Sequence, residues 1–100
     1  RTPSAQALVR EVLARCDKPV VLDADGLFAV SPFADEFRRD APTVLTPHAG
    51  EFARLTGAPA PQSDAGRAEE TGAFARRFGC VLLLKGAGTV VSDGARLYVN

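Results

Sequence analysis

Cysteine, histidine, net charge and long apolar runs are all scarce in this chain of 100 residues, and each scarcity removes a class of function. Cys16 and Cys80 stand far apart with no Cys-x-x-Cys spacing, and His48 is the single histidine, so nothing indicates a disulfide framework or a zinc site. Each cysteine lies where an apolar pattern meets an expected strand, which reads as a small buried hydrophobe. Twelve basic residues balance twelve acidic ones, so the electrostatic footprint needed for nucleic acid or an anionic membrane is missing. No apolar stretch approaches the roughly 20 residues that span a bilayer. The first residues also lack the charged, apolar and small-residue succession of a signal peptide, so a cytoplasmic protein is expected.

What is present is an ordinary globular composition, 46% hydrophobic and 24% charged, at a length that normally makes one domain. Thr2-Pro3 supplies a helix cap and a first-turn proline. Ala5, Leu8, Val9, Val12, Leu13 and Cys16 then recur at helical spacing, predicting one buried face. Val20-Val21-Leu22 reads as a short strand buried on both faces, closed by Asp23-Ala24-Asp25-Gly26, with a short helix from Leu27 to Val30. The charged stretch to Pro42 reads as a surface helix or loop. A second strand over 43–45 stops at Pro47, and a helix over 50–55 turns Phe52 and Leu55 inward before Gly57 ends it.

After the linker Ala58-Pro59-Ala60-Pro61-Gln62, Ser63-Asp64 caps a helix with Ala68, Thr71, Phe74, Ala75 and Phe78 on its apolar face and Gly79 at its end. Val81 to Leu84 is a third strand. Strands over 89–92 and 95–99 flank Asp93-Gly94, a pair suited to a type I′ hairpin. Strand, helix, strand, helix, strand predicts right-handed βαβ units on a parallel sheet, with the hairpin as an antiparallel edge. There is no internal repeat, low-complexity tract or convincing internal boundary.

Polar clusters follow the apolar runs, and in open α/β sheets ligands bind beyond the carboxyl ends of the strands. Lys85-Gly86-Ala87-Gly88-Thr89 joins an ammonium, two glycines and a hydroxyl directly after a strand. It suits phosphate or a nucleotide, and equally a tight turn with a solvated lysine. It is not a P-loop, because its lysine precedes the glycines. His48, before Gly50 and a helix start, can donate to a phosphate or a ring substituent, or be structural. Glu51 fits the helix dipole. Asp23 and Asp25 could hold Mg²⁺ through water, act as base, bind a sugar hydroxyl, or cap a turn. Arg38-Arg39 and Arg76-Arg77 read as solvated faces.

Together Val21-Leu22-Asp23-Ala24-Asp25-Gly26-Leu27, the run from Leu45 to Leu55 (Leu-Thr-Pro-His-Ala-Gly-Glu-Phe-Ala-Arg-Leu), and Leu84-Lys85-Gly86-Ala87-Gly88-Thr89 resemble the ADP-dependent NAD(P)H-hydrate dehydratase family of the ribokinase-like superfamily. Asp93-Gly94 with Tyr98-Val99-Asn100 strengthens the match, which covers nearly the whole chain. The resemblance implies a three-layer αβα fold with a mostly parallel sheet and an antiparallel edge hairpin. It also implies repair of hydrated NADH or NADPH, with ADP or ATP and Mg²⁺ used to phosphorylate the ring hydroxyl before phosphate is eliminated. By resemblance Lys85, Gly86, Ala87, Gly88 and Thr89 meet the adenine nucleotide, while His48, Gly50, Glu51, Asp23 and Asp25 line the substrate side. A fused or separate epimerase and a homo-oligomeric full-length protein are further implications.

Phe28 stands where the family commonly has asparagine, and Ala49 replaces a frequent proline. The family's Gly-Pro-Gly-Leu-Gly turn, found before a segment like Arg1-Thr2-Pro3, is not in this sequence. Nor is its Gly-Gly-x-Gly-Asp loop, which follows a segment like Tyr98-Val99-Asn100 and carries the anion hole and catalytic aspartate. These residues are therefore expected to be the middle of a larger domain, with no catalytic residue of their own. A vitamin-precursor kinase of the same superfamily would share the topology but usually lacks a run like His48-Ala49-Gly50-Glu51. A non-catalytic nucleotide-binding segment is the other alternative.

Overall fold

Register decides which side chains of the sheet meet the helices. In the computed structural model, which describes residues 2–100, five strands form one sheet in chain order: β1 (Val20–Leu22), β2 (Thr43–Leu45), β3 (Val81–Leu84), β4 (Val90–Ser92) and β5 (Leu97–Val99). β1, β2 and β3 are parallel, and β4 and β5 continue antiparallel. The helices are α1 (Pro3–Arg15), α2 (Ala24–Ala29), α3 (Ala49–Thr56) and α4 (Asp64–Phe78), with a 3-10 turn at Asp35–Phe37. No helix among the described residues is long and apolar enough to cross a membrane.

Side chains alternate across a strand, so Leu22, Leu45, Leu82, Leu84 and Val90 share one buried face. Leu13 of α1, Leu27 of α2, Phe52 and Leu55 of α3, and Phe74 and Phe78 of α4 complete a single core on that side. Phe33 is its aromatic hub, with ring centroids 4.9 Å from Phe78 and 5.6 Å from Phe74. The expected caps organise this layer. The Thr2 and Ser63 side chains accept the backbone N–H groups of Ala5 and Gly66, while Gly57 and Gly79 end α3 and α4 in the left-handed region at φ 73° and 63°.

The opposite face carries Val21, Val44, Val81, Leu83, Val91 and Tyr98, an apolar row across all five strands. Val21 is 68% exposed, so β1 is buried on one face rather than two, because the described helices all join the core on the other side. The expected face of α1 divides for a related reason: Leu13 is buried, whereas Leu8 and Val12 are exposed. The chain thus supplies the sheet and one helical layer of its α/β architecture. Cys16 is only half-buried at the end of α1, but Cys80 is buried and its thiol is pushed up to about 11 by desolvation.

Three local readings change. α2 begins at Ala24 instead of Leu27, so Asp25 and Gly26 are helical and Asp23 is the residue that precedes the helix. Asp93-Gly94 does not form a type I′ turn. Only Gly94 has positive φ, and the chain makes a four-residue link from Asp93 to Arg96. The Asp93 carboxylate accepts the N–H groups of Ala95 at 2.9 Å and Arg96 at 2.7 Å, so its pKa falls to about 2 and the side chain replaces a second left-handed residue.

Arg39, finally, is no solvated surface charge. Its guanidinium donates to the carbonyls of Leu13, Cys16, Lys18 and Pro42 and to the Thr43 hydroxyl. All five N–H groups of the fork are used to tie the end of α1 to the start of β2.

Candidate functional site at the carboxyl ends of the strands

The carboxyl ends of β1, β2 and β3 are tied together by their own backbone. Leu22 O accepts the Thr46 N–H at 3.1 Å and its hydroxyl at 3.3 Å, and Pro47 O accepts the Lys85 N–H at 2.8 Å. The three segments marked as chemical in the sequence therefore converge on one edge. Lys85 and Asp23, 62 positions apart in the chain, meet there with Nζ 3.3 Å from Oδ1. The Thr46 hydroxyl, whose one proton goes to Leu22 O or to Asp23, and the Ala24 N–H also face the Asp23 carboxylate. With Thr46 first, then Lys85, then Ala24, these contacts hold its carboxyl below the usual range. The chain turns from β1 into α2 through Ala24 at φ 44°, a left-handed conformation that an alanine adopts only against steric resistance. Asp25 is exposed in the first turn of α2.

His48 is the N-cap of α3. Its Nδ1 accepts the Glu51 N–H at 3.2 Å, and Glu51 Oε1 accepts the His48 N–H at 3.0 Å, a reciprocal capping box. Acceptance at Nδ1 fixes the tautomer, leaving the proton on Nε2, 3.6 Å from the Glu51 carboxylate. The imidazole is 58% exposed while Glu51 is buried, so Glu51 orients the ring and the ring faces outward. Gly50 makes this posture possible. A Cβ there would stand 3.1 Å from His48 Cε1.

Lys85 to Thr89 link β3 to β4 as an exposed turn, closed by the Thr89 hydroxyl donating to Gly86 O at 3.1 Å. Gly86 at φ 156° and Gly88 at φ 73° take conformations that side chains rarely adopt, and Ala87 between them is exposed. Asn100 N–H holds the far side of the turn through Thr89 O at 2.9 Å. Among the described residues there is no group of three or more His, Cys, Asp or Glu able to hold a metal. A cleft of about 920 Å³ runs between α1 and residues 36–41, but none of these clustered side chains lines it. The shelf at the strand ends is where the chemistry collects.

Two contributors were not singled out from sequence. Thr46 sets its hydroxyl between the Leu22 carbonyl and Asp23, with a single proton to give to either. Arg67 lies beneath the Lys85–Thr89 turn, buried to 9% exposure, with Nη2 donating to Leu84 O at 3.3 Å. The available signal was its spacing, since Arg67, Thr71, Phe74 and Phe78 follow one helical stripe.

A family profile described as NAD(P)H-hydrate dehydratase matches residues 1–100. A bifunctional NAD(P)H-hydrate repair enzyme of Salinibacter ruber is 47% identical over 94 residues, covering 92% of this chain and 17% of that protein. The ADP-dependent (S)-NAD(P)H-hydrate dehydratase of Bacillus subtilis is 40% identical over 92 residues, covering 92% of this chain and 32% of its own length. A crystal structure of the Bacillus subtilis ADP/ATP-dependent NAD(P)H-hydrate dehydratase, co-crystallised with ATP and Mg²⁺, superimposes with a TM-score of 0.77 at 37% identity. It covers 99% of this chain and 34% of that one. A ribokinase-like superfamily protein of Enterococcus faecalis, 24% identical with a TM-score of 0.75, shares the fold. The chain thus spans between about a sixth and a third of the length of these relatives.

Proposed function

The chain belongs to the NAD(P)H-hydrate dehydratase family, and from that membership we propose that it forms the central part of a larger domain that restores hydrated NADH or NADPH. The observation that carries this reading is the meeting of Asp23, Thr46, His48 and Lys85 at one sheet edge, beside a glycine turn able to receive a nucleotide. The ring hydroxyl of the hydrated cofactor attacks the terminal phosphoryl group of ADP or ATP, losing its proton as the P–O bond to the departing AMP or ADP breaks. The C–O bond of the resulting phosphate ester then breaks, inorganic phosphate leaving with the bonding electrons, and a proton lost from the adjacent ring carbon restores the double bond. Phosphate is a far better leaving group than hydroxide, which is why a nucleotide makes the dehydration feasible near neutrality.

Lys85, Gly86, Ala87, Gly88 and Thr89 form the nucleotide side. The exposed backbone at Gly86 and Gly88 admits close approach, and the Lys85 ammonium offers a cation to phosphate. His48, Gly50, Glu51, Asp23 and Asp25 form the substrate side, with the exposed His48 imidazole as the polar contact and Glu51 holding it in place. The described carboxylates make no closed cage. That fits Mg²⁺ carried chiefly by nucleotide phosphates and water, with at most one or two protein carboxylates. The wider protein would carry, or work beside, an epimerase that interconverts the hydrate's stereoisomers.

The test is recovery of the 340 nm absorbance of NADH from its hydrate by the full-length protein with ADP and Mg²⁺, run beside Lys85→Ala and His48→Ala. Recovery in the parent, with at least about a tenfold loss of kcat/KM in each variant, is expected, equivalent to roughly 1.4 kcal/mol of transition-state stabilisation or more. No recovery with any nucleotide overturns the proposal.

A further inference from the structure

We propose that Arg67 is a positioning residue of the nucleotide side, holding the Lys85–Thr89 turn from beneath and giving it a second positive charge for the nucleotide's phosphates. This rests on the assignment of that turn to the nucleotide. α4 packs on β3 and runs against it, so its first turns stand beside the end of that strand. From there Arg67 Nη2 donates to Leu84 O, the last carbonyl before the turn. The guanidinium also packs against Gly86. A Cβ at Gly86 would be 3.0 Å from Nη2, 3.4 Å from Nη1 and 3.5 Å from the central carbon. Gly86 is therefore fixed twice, by its φ of 156° and by the arginine under it.

The charge has no carboxylate partner. Arg67 is a buried guanidinium with five donors, one of which reaches Leu84, and no ion pair to it occurs among the described residues. Thr71 Oγ1 is the only buried side-chain nitrogen or oxygen without a partner among the described residues, so the remaining Arg67 nitrogens keep contact with solvent and are open to an arriving anion. Lys85 is already matched with Asp23 at 3.3 Å, so Arg67 is the uncompensated cation closest to the turn's backbone. A phosphate laid over Gly86 and Gly88 would give this cation an opposite charge, with charge-assisted hydrogen bonds replacing its water.

The experiment is titration of ADP into the full-length protein by calorimetry, for the parent and for Arg67→Met, Arg67→Gln and Arg67→Lys, with thermal unfolding as the check on folding. Arg67→Met, which keeps length without charge, is expected to weaken ADP binding about tenfold, and Arg67→Lys to recover most of that. In turnover the KM for ADP rises while kcat and the KM for the hydrate stay near the parent values. A purely structural arginine would instead move both KM values together. Unchanged ADP affinity in a folded Arg67→Met variant overturns the proposal. Should that variant not fold, Arg67→Gln decides in the same way, since it keeps a donor for Leu84 O without the charge. A parent that binds ADP but returns no NADH overturns the dehydratase reading alone and leaves Arg67 to the titration. A parent that binds no ADP overturns both.

Discussion

His48 carries two duties that a single substitution can separate. Its Nδ1 caps α3 while more than half of the ring surface is exposed, with Nε2 3.6 Å from Glu51 Oε1, so alanine removes both the cap and the exposed ring while asparagine keeps an acceptor for the Glu51 N–H. His48→Ala is expected to lower stability by about 1 kcal/mol, the usual worth of an N-cap, and to raise the KM for the hydrate. His48→Asn should leave the denaturation midpoint near the parent value while raising the KM just as much. A normal KM in the asparagine variant would reduce His48 to a cap. The capping roles of Thr2 and Ser63 were legible because hydroxyl residues are the familiar N-caps. His48 was not, since His-x-x-Glu lies outside the usual Ser/Thr-x-x-Glu pattern even though an imidazole nitrogen accepts as a hydroxyl does. Gly50 has the same origin, as the space it leaves for the ring is invisible until the ring has a posture.

Between elements, the decisive side chains are those that reach carbonyls far along the chain. Arg39 binds Leu13, Cys16 and Lys18 on one side and Pro42 and Thr43 on the other, so it joins the end of α1 to β2 across 26 positions. Lysine could satisfy only some of these acceptors from a single nitrogen. Arg39→Lys is therefore expected to cost about 2 kcal/mol, read as a lower urea midpoint at unchanged slope. A midpoint within error of the parent would show that water replaces the lost bonds. Hydrophobic period located every strand and the helices α1, α3 and α4, since helical and strand spacing are local properties. Arg39 reads as a surface charge in the sequence because its partners are distant carbonyls, which no local pattern encodes. α2 starts before its apolar pattern does for a related reason. Its first residue takes a left-handed φ of 44° at an alanine, where glycine or asparagine would ordinarily announce the conformation.

At the scale of the whole molecule, periodicity tells which residues are apolar but not what covers them. Val21, Val44, Val81, Leu83, Val91 and Tyr98 form a continuous stripe on the face opposite the helices, and Val21 and Tyr98 are 68% and 71% exposed. Leu8 and Val12 add apolar surface on α1, at 62% and 48% exposed. Covering one such side chain fully is worth roughly 1.5–3 kcal/mol, so several together form a strong drive to find a partner surface. If the larger domain proposed above supplies that cover, residues 1–100 made alone must find it elsewhere, and the expected outcome is self-association through the sheet face. Sedimentation velocity should then show species heavier than 10.5 kDa that grow with concentration. Val21→Lys with Tyr98→Lys should shift the distribution toward monomer, because two ammonium groups on the stripe repel a facing copy and resist desolvation. The same pair in the full-length protein should be destabilising, since there the stripe would be interior. A parent segment that sediments as a monomer at every concentration would mean that the exposed stripe is stable in water, and would remove the main physical reason for placing these residues inside a larger domain.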